Sequence, residues 1–371
     1  MTMPITSSAF ETKTMLASPS KTSTLTIETR TRRELERRLP ALEAYVSTQE
    51  QMPLSRHPGW LSVLERGLGH DVLCLEALED GKTCGLLPLA HVHSLLFGRF
   101  LVSLPYLNYG GVLADNERVA QLLIDQSIEL AQKLNVRYLE LRQERALGHP
   151  ALGDRMNHKV HMRLPLPATP GTLWDRLSGK VRNQVRKGQK SQLSVVWGGE
   201  VLLDEFYAVF SHNMRDLGTP VYGRRFFESI LRQFGERAEL CVVRAADKPA
   251  AAALLLHGWG ITEVPSASSL RQFNSTCANM LLYWHLLERA VQRRQTVFDF
   301  GRSSVDSNTF RFKKQWGAEP SPADWQYHVR IGAINAVRPE NPRYLRFIRM
   351  WQRMPVWLTR LVGPTIVRGI P

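Results

Sequence analysis

"VLCLEALEDGKTCGLLPLA", residues 72–90, reads as a β-hairpin: a β-rich run holding Cys74, a polar turn at Glu79-Asp80-Gly81-Lys82, and a second apolar run. The chain contains an echo of it. "LCVVRAADKPAAAALLLHG", residues 240–258, repeats the order with Cys241, a turn at Ala246-Asp247-Lys248-Pro249 and a second apolar run. Each hairpin is followed by more extended chain, then an amphipathic helix, then a short strand. The helices are "ERVAQLLIDQSIELAQKL" (117–134) and "CANMLLYWHLLERAVQRR" (277–294), and the closing strands are "VRYLELR" (136–142) and "TVFDFGR" (296–302). Hairpin, strand, helix, strand in duplicate predicts two copies of one α/β unit.

Between the copies, "RQERALGHPALGDRMNHKV" (142–160) is polar and broken by Gly and Pro, as a connecting stretch should be. The second copy opens on "HMRLPLPATP", with a helical preface over about 172–190 and a strand at 193–199. Helices are expected over 201–218 and 224–235, with Gly218 and Gly235 as stops.

Composition narrows the class of protein. A chain of 371 residues accommodates two domains, and 43% hydrophobic with 22% charged residues describes a globular protein. No run approaches the ~20 apolar residues of a membrane-spanning helix. The Ser- and Thr-rich residues 1–24 read as a disordered leader rather than an export signal. Cys74, Cys84, Cys241 and Cys277 have no CxxC or zinc spacing, so buried thiols in a reducing cytosol are expected. The net charge of +14 points to a phosphate-bearing partner: a nucleotide, a nucleic acid or an anionic membrane. There is no GxSxG, HExxH, Walker loop or GxGxxG, which removes support for hydrolase, metalloprotease and dinucleotide-oxidoreductase readings.

Three polar clusters are left to carry chemistry. In "SGKVRNQVRKGQK" (178–190), Lys180, Arg182, Arg186, Lys187 and Lys190 crowd one segment without a carboxylate; Arg182 and Arg186 share a helix face while Val181 and Val185 pack inward. Such a face either binds phosphate or is simply solvated. In "LPYLNYGGVLAD" (104–115), Asn108 and Tyr109 precede Gly110-Gly111, a pair that permits close backbone approach in a binding loop or a plain turn. The third is "FDFGRSSVDSNTFRFKKQWGA" (298–318). A strand ends near Gly301, and ligands of open α/β sheets gather beyond such strand ends. Arg302, Ser303 and Ser304 should therefore face a crevice, with Ser307 capping a helix that carries Phe312, Lys313 and Trp316. Asp299 alternates with Phe298 and Phe300 and faces either a polar crevice or solvent.

"FDFGRSS…TFRFKKQWGAEP", with "LSGKVRNQVRKGQKSQL" and "HPGWLSVLERGLG" (57–69), resembles the Fem-type branch of the GNAT acyltransferase superfamily. The likeness spans roughly residues 30–331 and is strongest to Fem-like proteins associated with PEP-CTERM and exosortase exopolysaccharide systems. It implies an α/β fold of two tandem GNAT-like (acyl-CoA N-acyltransferase-like) domains, over 25–150 and 151–331, followed by a basic amphipathic tail over 332–371. The activity it implies is N-acyl or aminoacyl transfer to an amine of a cell-envelope or exopolysaccharide precursor. A non-catalytic GNAT-like protein that binds a nucleotide-sugar or scaffolds a membrane complex is the alternative.

By resemblance, the Phe312-Lys313 pair sits near the transferred acyl group, and the helix of Lys180, Arg182 and Arg186 binds an anion. Lys313 is then the stabiliser of an oxyanion or donor phosphate with Arg302 beside it, Asp299 is a candidate base, and Ser303, Phe312, Asn108 and Tyr109 contact substrate. The donor is either acyl-CoA or aminoacyl-tRNA, with no tightly bound cofactor and no metal. The nearest counterpart of a coenzyme A pyrophosphate loop, "SSLRQFNSTCANM" (268–280), lacks its glycines, and no long helical hairpin for tRNA contact is evident. A nucleotide-linked acceptor, a tRNA donor and a membrane surface are the expected partners. The expected location is the cytoplasm, peripheral on the inner face of the membrane.

From residue 332 onward the chain holds seven Arg and one Glu, +6 of its +14. Pro342 can start a helix with Tyr344, Leu345, Phe347, Ile348 and Trp351; Pro355 interrupts it, and Val356, Trp357, Leu358, Leu361 and Val362 continue the apolar surface. Interleaved Arg suits residues 338–371 to an anionic membrane. The alternative is that this face packs on the protein's own domain or a partner subunit.

Overall fold

A computed structural model describes residues 24–49, 51–94, 97–334 and 345–370. The leader expected over 1–24 falls outside these except for Thr24, and so do Pro342 and Tyr344. In the first half, β1 (Leu25–Thr31), α1 (Arg32–Ser47) and α2 (Trp60–Leu68) lead into the hairpin β2 (Asp71–Glu79) and β3 (Lys82–Ser94). Then come β4 (Gly98–Val102), β5 (Leu113–Ala114), α3 (Glu117–Lys133) and β6 (Tyr138–Gln143). Connecting strands β7 (Asp154–Met156) and β8 (Lys159–Pro165) precede α4 (Pro170–Arg176), α5 (Gly179–Lys190), β9 (Leu193–Gly198), α6 (Leu203–Leu217) and α7 (Arg224–Phe234). The second hairpin is β10 (Ala238–Ala245) and β11 (Lys248–His257), followed by β12 (Ile261–Ser269), α8 (Ala278–Gln292), β13 (Val297–Ser304) and α9 (Asn308–Lys314). The chain closes with β14 (Glu319–Pro322), β15 (Asp324–Val329), α10 (Leu345–Arg353) and α11 (Val356–Val367).

The duplication is present as expected. There are two sheets, ordered β1-β2-β3-β4-β6-β15-β7 with β5 on β3, and β14-β8-β13-β12-β11-β10-β9. In each, a hairpin and a third antiparallel strand lead through one helix to a parallel strand: β4 pairs β6 over Phe100–Val102 and Tyr138–Glu140, and β12 pairs β13 over Ile261–Glu263 and Val297–Asp299. Ser307 caps α9 as expected, accepting from Phe310 N–H; Asn116 likewise accepts from Val119 N–H, and Ser178 from Val181 N–H, where the single helical preface expected over 172–190 is broken into α4 and α5. Gly218 ends α6 in the left-handed conformation, φ +77°.

Two strands from beyond the first copy lie in the first sheet, β7 from the connecting stretch and β15 from after the second copy. β15 pairs with β6, Trp325 opposite Arg142, and β7 pairs with β15. The halves also share a core: Cys74, Leu86 and Ala90 of the first sheet join Leu240, Leu254 and Leu256 of the second through Trp60 on α2, Phe206 on α6 and Phe227 on α7. Separate cores cover the outer faces, one beneath α3 and one beneath α5, α8 and α9. The cysteines are free thiols, three of them buried. Among the described residues no helix is long and apolar enough to cross a membrane.

Candidate active site

The strands that close each copy part at different points, and this places the site. In the second half, β12 and β13 are paired only as far as Glu263 and Asp299. There β13 kinks: its register against β8 shifts between Asp299 and Arg302, and Gly301 adopts φ +75°, where a side chain would be strained. β12 slips against β11 as well, between Leu254 and Leu256. Beyond that point the parallel edges diverge into a wedge, and peptide groups no longer paired across it can receive an extended substrate arm as a strand would.

In the first half, the same position is filled by the chain itself. After β4, Ser103 N–H donates to Glu140 O at 2.9 Å and Ser103 Oγ accepts from Arg142 N–H at 2.8 Å. Gly110 and Gly111 N–H then both donate to Arg142 O. A Cβ on Gly110 would stand 2.6 Å from Ser103 O, and one on Gly111 2.3 Å from the Gln143 side chain. The close approach that the glycine pair permits is thus to β6 of its own sheet.

This stitched loop carries Asn108 and Tyr109 across to the second half. The Tyr109 hydroxyl donates to the Asp299 carboxylate and accepts from Arg163 Nη2 at 2.9 Å. Asp299 is fully buried; it also accepts from Arg163 Nε at 3.1 Å and Gly301 N–H at 2.6 Å. Its side chain therefore faces neither solvent nor an open crevice but an internal network. Asn108 Nδ2 lies 3.1 Å from where a Cβ on Gly301 would be. Glu144 joins Arg163 to Arg56, at 2.6 and 3.3 Å.

Lys313 is buried, and Nζ donates to the carbonyls of Gly301 and Arg302 at 3.0 and 3.1 Å. It holds the kink from behind and brings a cation to it. Burial lowers its pKa to about 8, opposed by the Asp299 charge. The Arg302 guanidinium lies over the Trp325 indole, 3.2 Å from its centroid, and Arg142 lies over the same ring at 4.1 Å. Ser303 is buried beside Arg302 on β13. Phe312 packs edge-on against Tyr283 at 4.9 Å, in the aromatic layer with Phe300 and Trp316, so it supports the kink from the apolar side.

Lys180, Arg182 and Arg186 are not part of this network. They ride on α5, whose neighbours are α8 and β9; Val181 and Val185 point inward, and Arg186 lies over Trp174 at 5.4 Å.

Arg163, Arg56, Glu144 and Ser55 were not singled out in the sequence, nor were three further groups at the site. Glu263 on β12 pairs in register with Asp299, is buried, and accepts from Ser55 N–H at 2.8 Å and Ser55 Oγ at 2.5 Å. Burial, and then the Asp299 charge, push its pKa up to about 7. His161 on β8 stacks on Tyr109 with centroids 4.2 Å apart, and burial together with Arg163, Arg302, Arg56 and Lys313 drives its pKa down to about 2, so it is neutral. Trp325 arrives on β15 from far along the chain. Only the β-register of "ITEV" against "VFDF" pointed at Glu263, and nothing local pointed at the other two.

Residues 176–314 match the model of a family described as an acetyltransferase (GNAT) domain. No curated protein matches the sequence. Among solved structures, FemX superposes with a TM-score of 0.60 at 14% identity, over 79% of this chain and 96% of that one. A C-terminal domain (DUF2156) of a putative lysylphosphatidylglycerol synthetase from Agrobacterium fabrum gives a TM-score of 0.53 at 12% identity, over 80% and 93%. A tandem GNAT protein from the clavulanic acid biosynthesis pathway gives 0.51 at 14% identity, over 82% and 97%. At such identities the likeness is one of fold, and the fold is the tandem GNAT arrangement. The family match runs from just before α5 to the last residue of α9, through both parting strands, and supports an acyltransferase whose second half carries the GNAT domain.

Proposed function

We propose that the second half transfers an acyl or aminoacyl group from a thioester or ester donor onto an amine of a cell-envelope or exopolysaccharide precursor. One observation carries this reading. The two parallel strands diverge at Glu263 and Asp299 in the second half, while the corresponding space in the first half is closed by residues 103–111.

Both donors considered from the sequence, acyl-CoA and aminoacyl-tRNA, present an activated carbonyl, and the wedge accepts either as an extended arm. The acceptor nitrogen forms the new C–N bond and the donor C–S or C–O bond breaks. The proton lost by nitrogen goes to Glu263, whose pKa of about 7 suits a base near neutral pH. Asp299 is saturated by Tyr109, Arg163 and Gly301 N–H, so its role is positioning rather than proton transfer. Lys313 keeps the Gly301 kink in place and sets positive charge where an oxyanion or donor phosphate would develop. The resemblance to Fem-like proteins of exosortase systems is what suggests the envelope or exopolysaccharide acceptor.

The test is mass-spectrometric detection of amide formation, offering acyl-CoA and aminoacyl-tRNA donors separately against a panel of amino-sugar and peptide amines. Transfer by the wild type is expected, with a loss of at least about a hundredfold in Glu263→Gln at unchanged circular dichroism. Wild-type rates in folded Glu263→Gln would remove that residue from catalysis. Absence of transfer with every donor would favour the non-catalytic, nucleotide-sugar-binding alternative.

A further inference from the structure

The last two helices fold back on α6 and still leave an apolar surface uncovered. Their inward side is anchored. Trp351, Thr359 and Val367 are buried, Arg360 Nε donates to Ser211 Oγ at 2.8 Å, Arg215 Nη1 to Met354 O at 3.0 Å, and Tyr106 OH to Arg368 O at 2.8 Å. Part of the apolar face expected for this segment therefore does pack on the protein's own domain. The outward side differs: Phe347, Met350, Trp357 and Leu361 are 63%, 55%, 67% and 70% exposed.

Two stripes run along α10 and one residue beyond it at identical spacing. Phe347, Met350 and Met354 follow i, i+3, i+7, and so do the exposed Arg346, Arg349 and Arg353. Residues 345–370 hold five Arg and no Asp or Glu. Large side chains left in water beside a basic stripe with no carboxylate partner among the described residues match an interface with apolar and anionic layers side by side. We propose that the outer face of α10 and α11 docks on an anionic lipid bilayer, with Phe347, Met350, Trp357 and Leu361 entering the headgroup boundary and Arg346, Arg349 and Arg353 meeting lipid phosphate.

The inward side of α10 is linked through α6 to the end of β12. The carbonyl of Asp216, at the end of α6, accepts from Gln352 on α10 at 3.2 Å and from Arg271, in the turn before α8, at 3.5 Å. One residue-turn earlier, Asn213 donates to Ser268 near the end of β12. Docking itself stands independently of acyl transfer.

The experiment is flotation of the full-length protein with vesicles of phosphatidylcholine alone or mixed with phosphatidylglycerol. The wild type should float with the mixed vesicles in low salt, detach as salt rises and ignore pure phosphatidylcholine. Phe347→Asp with Leu361→Asp, both at exposed positions, should weaken partitioning by at least about tenfold without lowering the melting temperature. Arg346→Gln with Arg349→Gln should weaken it less and flatten its salt dependence. Equal flotation with both vesicle types, none with either, or no effect of the Asp substitutions would overturn the proposal. A concentration-dependent dimer in sedimentation velocity that the same Asp substitutions dissolve would assign the face to a second copy instead.

Discussion

Glu263 decides the behaviour of the site with pH. Its folded pKa of about 7 lies above the ordinary 4.5, so the fold favours the protonated form. The stability it contributes is present below the ordinary value and is lost as pH rises through about 7. Lys313, lowered to about 8 from 10.5, has the opposite sense: its contribution is present at high pH and is lost as pH falls through about 8. Near neutrality the protein therefore carries both buried ions at their full cost. Glu263→Gln removes one of them, so its melting temperature should gain on the wild type as pH is raised from about 5 to about 8. A gap independent of pH would show that Glu263 does not titrate in that window. In catalysis the sign is reversed, since the base must be ionised: kcat/KM should fall above about 8, where Lys313 loses its charge, and below that climb with pH through about 7. That limb should be missing from any residual activity of Glu263→Gln.

At the scale of elements, the glycine pair and the kink do different work. Gly110 lets the loop 103–111 close the first wedge, and Gly301 lets the second one open. Gly110→Ala must push backbone from backbone, because its Cβ would fall 2.6 Å from Ser103 O. A destabilisation of about 1–3 kcal/mol is expected in denaturant unfolding. If instead the variant is as stable as the wild type, the loop is not held as described. These features show what was readable beforehand. The hairpins, the connecting helices and the cap at Ser307 are local, and period and turn chemistry reveal local structure. Asn108, Tyr109 and Lys313 were singled out and do meet at Gly301. The partners that define their roles come from remote segments: Arg163 and His161 on β8, Trp325 on β15, and Ser55 beneath Glu263. Such pairings depend on sheet order, which periodicity does not encode. The basic helix at 180–186 lies outside that network for a related reason. Its charge is real, but its place beside α8 follows from the inward Val181 and Val185.

For the whole molecule, the two copies divide one task. The first closes its own wedge, sends Tyr109 into the second, and shares with it a core through Trp60, Phe206 and Phe227. Among the described residues the duplicated fold thus leaves one wedge open, with a support built from the other copy. Hydrogen exchange read by mass spectrometry, with acetyl-CoA and aminoacyl-tRNA added in separate runs, tests that division most directly. With the donor that binds, backbone amides in residues 264–269 and 300–304 should slow, and those in residues 103–111 should exchange as before. Slowing confined to 103–111, or to the first sheet, would contradict the assignment of acyl transfer to the second half.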